Sequence, residues 1–234
     1  MKMVRYVIIN TPRLSCETTM KNADDENKFT REEEIVNAIS HGIGTLLSIA
    51  ALLILIIVAS TTGTIRHVVG FTGFGLALIL LYSFSTLQHG LHAEKAKHIF
   101  EILDHSAIYV LIAATYTVFT LTILTSPLGW SLFGIEWGLA IGGILFKCLF
   151  LGKFERLSTM VYLIMGWLII IAIFPLKQSL PPKSFILLVI GGIFYTIGVY
   201  FYSKATFKFH HAIWHILVLA GSISHFFSVL YILI

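Results

Sequence analysis

Seven apolar stretches, separated by short polar breaks, occupy the chain from about residue 35 to its end. In hydrocarbon every backbone N–H and C=O must find its partner inside the protein, and a helix of roughly 20 apolar residues achieves this across a bilayer. The stretches fall near 35–59, 68–89, 106–125, 130–150, 157–175, 184–203 and 211–233. The breaks between them carry turn and charge signals, as in "TTGTIRH", "SPLG", "LGKFER" and "PLKQSLPPK". Each proline after the tail (Pro127, Pro175, Pro181, Pro182) lies at or near such a break. The expected fold is an all-α membrane protein, a seven-transmembrane helix bundle. Only 12% of residues are charged, about half the fraction of a soluble domain.

Charge is concentrated at the front. Residues 1–34 hold six of the sixteen Lys/Arg and seven of the twelve acids. Residues 1–30 read as a disordered polar tail and 31–234 as the transmembrane domain. Met20 precedes the polar run "KNADDENK" and is a candidate first residue of the native product. No small-residue cleavage site follows the first apolar run, so no secretory signal is expected. The basic residues sit in inter-helix loops rather than in a patch, which argues against nucleic acid as a partner. Cys16 and Cys148 are too few for a disulfide framework.

Those loop cations also orient the bundle. One side collects nine (Lys28, Arg31, Lys95, Lys97, Lys147, Lys153, Arg156, Lys204, Lys208) and the other three (Arg66, Lys177, Lys183). By the positive-inside rule the N-terminus is cytoplasmic and, after seven crossings, the C-terminus is outside. The expected location is the cell membrane, as a multi-pass protein.

This topology brings unusual polar residues to one membrane boundary. Helix 2 ends in "YSFSTLQHG", with Ser85 and His89 at i, i+4 on one face. Helix 3 begins on that side just after "EILDHS", which puts Asp104 at its start. Helix 7 begins there with His211 and His215, again at i, i+4, and helix 1 with Glu34, Asn37 and His41. The opposite boundary offers only His67, Glu136 and some hydroxyls. Three imidazoles, His89, His211 and His215, suit a catalytic zinc, which takes three protein nitrogens and keeps one position for water. Iron, copper and nickel accept the same ligands. Bound zinc lowers the pKa of its water to about 7. Asp104 is the candidate base, and Ser85 the candidate donor to a developing oxyanion.

The remaining polar residues have plainer expected roles. Glu34 and Asn37 suit either the surroundings of the site or the helix start, where they complement the dipole. His210 points about 100° away from His211 and suits a supporting or interface role. His225 lies fourteen residues past His211, about 21 Å along the helix, too deep for the same ion. It reads as a hydrogen-bonding residue between helices. His92, His98 and His105 read as members of a polar loop. Glycines inside helices, such as Gly142/Gly143 and Gly191/Gly192/Gly198, read as close-packing positions.

The runs "EEEIVNAISHGIG", "SFSTLQH", "LDHSAIYVLIAATYT" and "HHAIWHILVLAG" resemble the hemolysin III family, over about residues 31–234. This is the bacterial branch of the progestin and adipoQ receptors, within an alkaline-ceramidase-like group of membrane hydrolases. The resemblance implies seven helices and a cytoplasm-facing zinc site. Its ligands would be His89, His211 and His215, with Asp104 acting on the zinc water and Ser85 completing the set. One departure is visible: where the family has Gly-Thr-Tyr-Thr-Pro, this chain reads "AATYTVF", with Ala114 and Val118 replacing Gly and Pro. Without that proline helix 3 loses a kink.

Three functions fit these features. The first is a zinc-dependent hydrolase of a lipid amide or related bond, with membrane lipids as substrate. A pore-forming hemolysin is the second, and a lipid or membrane-state sensor the third.

Overall fold

The computed structural model describes residues 29–203 and 207–234. Most of the expected tail, with Cys16 and Met20, lies outside the described residues, as does Lys204 of the loop cations. Among the described residues the protein is helical throughout, without a strand. Seven helices are long and apolar enough to cross a membrane. They are α1 (Arg31–Thr62), α2 (Ile65–Gly90), α3 (Glu94–Thr122), α4 (Pro127–Phe150), α5 (Glu155–Ser179), α6 (Pro182–Ser203) and α7 (His210–Leu230). This is the seven-helix membrane bundle that the apolar stretches predict.

As far as Ser48 the buried face of α1 is polar or small (Glu33, Asn37, His41, Gly44, Ser48), with Leu55 and Ala59 following. Its outward face carries Ile39, Ile43, Leu46, Leu53 and Ile57, each exposed. In water that distribution would be inside out. In lipid it is the stable one, because the apolar side meets hydrocarbon and the polar side finds partners only inside the bundle.

Thr30 starts α1 through a capping box with Glu33, and Pro127 sits at the first turn of α4, where its missing N–H costs nothing. Small residues set the helix spacing. A Cβ on Gly44 would lie 2.6 Å from the Tyr82 ring, so α1 and α2 approach as closely as they do only because none is there. Gly143 likewise receives the Tyr109 ring of α3.

Two boundaries differ from the sequence reading. Helix α3 starts at Glu94, so most of the polar stretch "AEKAKHIFEILD" is helix rather than loop. It holds no Gly or Pro and is rich in helix formers, and propensity outweighs polarity there. Asp104 therefore stands three turns inside α3 instead of at its start. The same helix runs uninterrupted past Ala114 and Val118, as expected without the proline.

The second difference is in α5. It is α-helical over Glu155–Trp167, tightens to 3₁₀ over Leu168–Ala172, and resumes over Ile173–Ser179. Pro175 lies just past this interruption rather than ending the span, since the first turn of a resumed helix needs no N–H from it.

Candidate metal centre

The starts of α1, α3 and α7 meet the end of α2 at one face, and short polar contacts bind them. The three consecutive acids of α1 separate their tasks. Glu32 pairs with Lys208 at 3.2 Å. The Glu33 carboxylate accepts from the Phe209 N–H at 2.9 Å, which holds the left-handed residue that opens α7 (φ 65°). Glu34 accepts from His89 Nδ1 at 2.5 Å and also pairs with Lys97 of α3. The polar face of α1 thus sets the position of α7 against α2.

His89, His211 and His215 form a compact group. One ligand nitrogen from each lies within 4.8 Å of the others, a spacing that could hold a metal ion. Ring centroids are 5.1 Å apart for His89–His211 and His89–His215, and 4.6 Å for His211–His215. The outer hydrogen bonds select the tautomers. With Nδ1–H of His89 given to Glu34, its buried Nε2 is left without a partner among the described residues. Nδ1 of His215 lies 3.0 Å from Ser40 Oγ and 3.2 Å from the Asn37 carbonyl. Ser40 already donates to that carbonyl at 2.8 Å, so the His215 ring is the donor and keeps a lone pair on Nε2. Carboxylate or carbonyl behind imidazole is the arrangement that raises ligand basicity and fixes ring orientation in metal sites. Three clustered imidazoles, His89 and His215 buried with lone pairs directed by their neighbours and His211 half-buried, fit a borderline-soft divalent ion such as zinc.

Other groups surround the centre. His41 stacks on His215 with centroids 3.5 Å apart, and both its ring nitrogens are buried and unpartnered among the described residues. The Asn37 amide is in the same condition. Unpaired polar atoms at this density mark a place built for water or an ion. Phe29 lays its ring 4.7 Å from that of His211 and covers the centre. His210 turns away and reaches the Phe201 carbonyl of α6 at 3.2 Å.

From the centre a cavity of about 160 Å³ runs into the membrane. His41, His211 and His215 line its head together with Ser85 and Asp104. Ser85 and Asp104 share this head of the cavity. The walls beyond are mostly apolar, from α3, α5, α6 and α7, and extend as far as Leu188 and His225. His225 bonds the Leu188 carbonyl at 3.1 Å, the interhelical role expected of it.

Of the residues the sequence reading placed in a polar loop, His92 and His98 are exposed, whereas His105 lines the cavity. Its position became legible only once α3 was known to begin twelve residues earlier. Ser40 and Glu33 were missed altogether. Ser and Glu near a helix start are ordinary in any sequence, and only the approach of α7 gives these two their tasks. Glu155 also escaped notice, and Lys147, counted among the loop cations, lies fully buried near the end of α4, where it pairs with Glu155 at 2.7 Å and closes the α4–α5 turn.

Comparison with known proteins places the molecule. Residues 29–226 match the haemolysin-III-related family. Hemolysin-3 of Bacillus cereus is 56% identical over 200 residues, covering 86% of this chain and 91% of the relative. The Hemolysin-3 homolog of Bacillus subtilis (strain 168) is 55% identical over 203 residues, 87% and 95% of the two chains. More distantly, the human monocyte to macrophage differentiation factor is 27% identical over 162 residues, 67% of each chain. No solved structure matches. With the match spanning all but the tail and the last few residues, and with seven membrane-crossing helices, the chain belongs to the haemolysin-III-related family of multi-pass membrane proteins.

Proposed function

We propose that this protein is a zinc-dependent hydrolase of a lipid amide or related bond, with its centre near the cytoplasmic face of the cell membrane. The observation that carries the reading is the meeting of three clustered imidazoles, two of them buried, with Ser85 and Asp104 at the head of an apolar cavity. A purely structural histidine cluster needs no such cavity. A hydrolase acting on lipids needs both a polar centre and a dry channel for the chain.

His89, His211 and His215 would hold the metal, which supplies a Lewis acid and an acidified water when bound. Glu34, Ser40 and the Asn37 carbonyl keep the imidazole rings oriented. Asp104 takes a proton at its carboxylate oxygen and passes it to the leaving amine. Ser85, beside Asp104 on the cavity lining, turns its hydroxyl to the oxyanion that develops on the scissile carbonyl. The acyl chain lies along the α3, α5, α6 and α7 walls, and its burial excludes bulk water. The loop cations support a cytoplasmic N-terminus, which directs the centre inward.

Cytolysis is the second reading, favoured by the name Hemolysin-3 carried by the Bacillus cereus relative. Purified protein in lipid nanodiscs distinguishes the two. Metal analysis should find zinc, and an N-acyl sphingoid lipid should release fatty acid in a chelator-sensitive way. If the fully metallated protein hydrolyses no lipid amide or ester, and lyses erythrocytes equally well as Asp104→Asn, the enzyme reading fails in favour of cytolysis.

A further inference from the structure

One ionisable group stands well apart from the metal centre. Glu136 lies nine residues into α4, about 14 Å along the helix axis and so near the middle of the bilayer. The sequence reading had set it with His67 at the far boundary. It is completely buried, and neither carboxylate oxygen has a hydrogen-bond partner among the described residues. No cation is paired with it among the described residues. A bare carboxylate in such surroundings is untenable, since an unpaired ion in a medium of low dielectric constant costs far more than a fold's net stability. Something must neutralise it.

What surrounds Glu136 indicates the occupant. Beside Glu136, Trp137 donates its indole N–H to Thr117 Oγ1 of α3 at 2.9 Å, which brings Tyr116 to the same depth as Glu136. The Tyr116 hydroxyl donates to the Met165 carbonyl of α5 at 2.8 Å, one turn before the Ile169 N–H. Those two backbone groups would bond each other in a continuous α-helix. Tyr116 therefore inserts into the ladder of α5 where its 3₁₀ stretch begins, a recognised cause of helix interruption. The nearby oxygens are already joined to one another, so they do not form the open cage of oxygens that a sodium ion requires. A proton needs no cage.

We propose that Glu136 is an intramembrane proton-binding site, and that its occupancy acts through Tyr116 on the interruption of α5. Tyr116, Gly166, Trp167 and Ile169 all line the cavity. With the proton bound, Tyr116 keeps its bond to Met165 and the interruption persists. When the proton leaves, the carboxylate draws the tyrosine hydroxyl toward itself, Ile169 N–H returns to Met165, and the cavity wall shifts. The cavity is thereby coupled to proton availability inside the membrane, whatever the cavity accommodates.

Carbodiimide labelling of the intact protein in nanodiscs tests the site. Dicyclohexylcarbodiimide is apolar and reacts with the acid form: the carboxyl O–H adds across a C=N bond, and the adduct rearranges to a stable N-acylurea. Peptide mapping should find the adduct on Glu136, decreasing as pH rises, unchanged when sodium replaces choline, and lost in Glu136→Gln. The coupling is read from Trp167 emission in a background with Trp130, Trp137 and Trp214 replaced by phenylalanine. Emission should shift over the same pH range in that protein and stay constant when Glu136→Gln is added. Absence of the adduct at every pH, labelling by a water-soluble carbodiimide instead, or protection by sodium would each overturn the proton site. An adduct with pH-invariant Trp167 emission would overturn the coupling.

Discussion

At the scale of single residues, neighbours give the His89 and His215 rings a defined donor and a defined lone pair. Glu34 takes the proton side of His89, and Ser40 with the Asn37 carbonyl takes that of His215. His89→Ala, His211→Ala and His215→Ala should therefore each lose most bound zinc by elemental analysis, because a three-nitrogen site has no spare ligand. Glu34→Gln keeps the shape but weakens the partner of His89, and should lower metal affinity by about 10- to 100-fold. Asp104→Asn should keep its metal yet lose about 10²- to 10⁴-fold in hydrolysis, the usual worth of a positioned base. Ser85→Ala should lose about 10²- to 10³-fold, again with the metal retained. Parallel loss of zinc or of folded protein in these two variants would assign them a structural role instead.

At the scale of elements, helix spacing rather than helix formation makes the site. Gly143 and its neighbour Gly142 offer an internal comparison. A Cβ at Gly143 would overlap the Tyr109 ring, whereas one at Gly142 meets nothing within 4 Å. Tyr109 is itself only 1% exposed and has nowhere to withdraw. Gly143→Ala should destabilise the α3–α4 contact by about 1–3 kcal/mol, as overpacking does. Gly142→Ala should unfold at the wild-type temperature or above it, since alanine is the better helix former. Thermal unfolding of both in the same detergent is the check. Equal melting temperatures would mean that α3 and α4 separate readily at this level.

At the scale of the whole molecule, the centre lies where four helix ends come together, so its compartment follows from the orientation of the bundle. Nine loop cations against three should hold that end in the cytoplasm. An exterior-active reporter fused after Ile234 should work, and one fused after Lys97 should not. The reverse pattern would move the centre to the other compartment without altering its geometry.

The amino-acid sequence alone determined the spans and the composition of the centre. Both rest on local properties: a stretch of about 20 apolar residues must be helical in lipid, and i, i+4 spacing places His211 and His215 on one face. With odd and even crossings alternating, it also specified which helix ends share a boundary. Tertiary structure decided what depends on neighbours remote in the chain. Ser40 acquires a function only because α7 lies against α1, and His105 enters the cavity only because α3 begins early. Glu136 is buried, without a partner among the described residues, only because α3 and α5 pack over that side of α4. A carboxylate in a sequence carries no mark of its surroundings, and those surroundings, more than the residue, decide what it does.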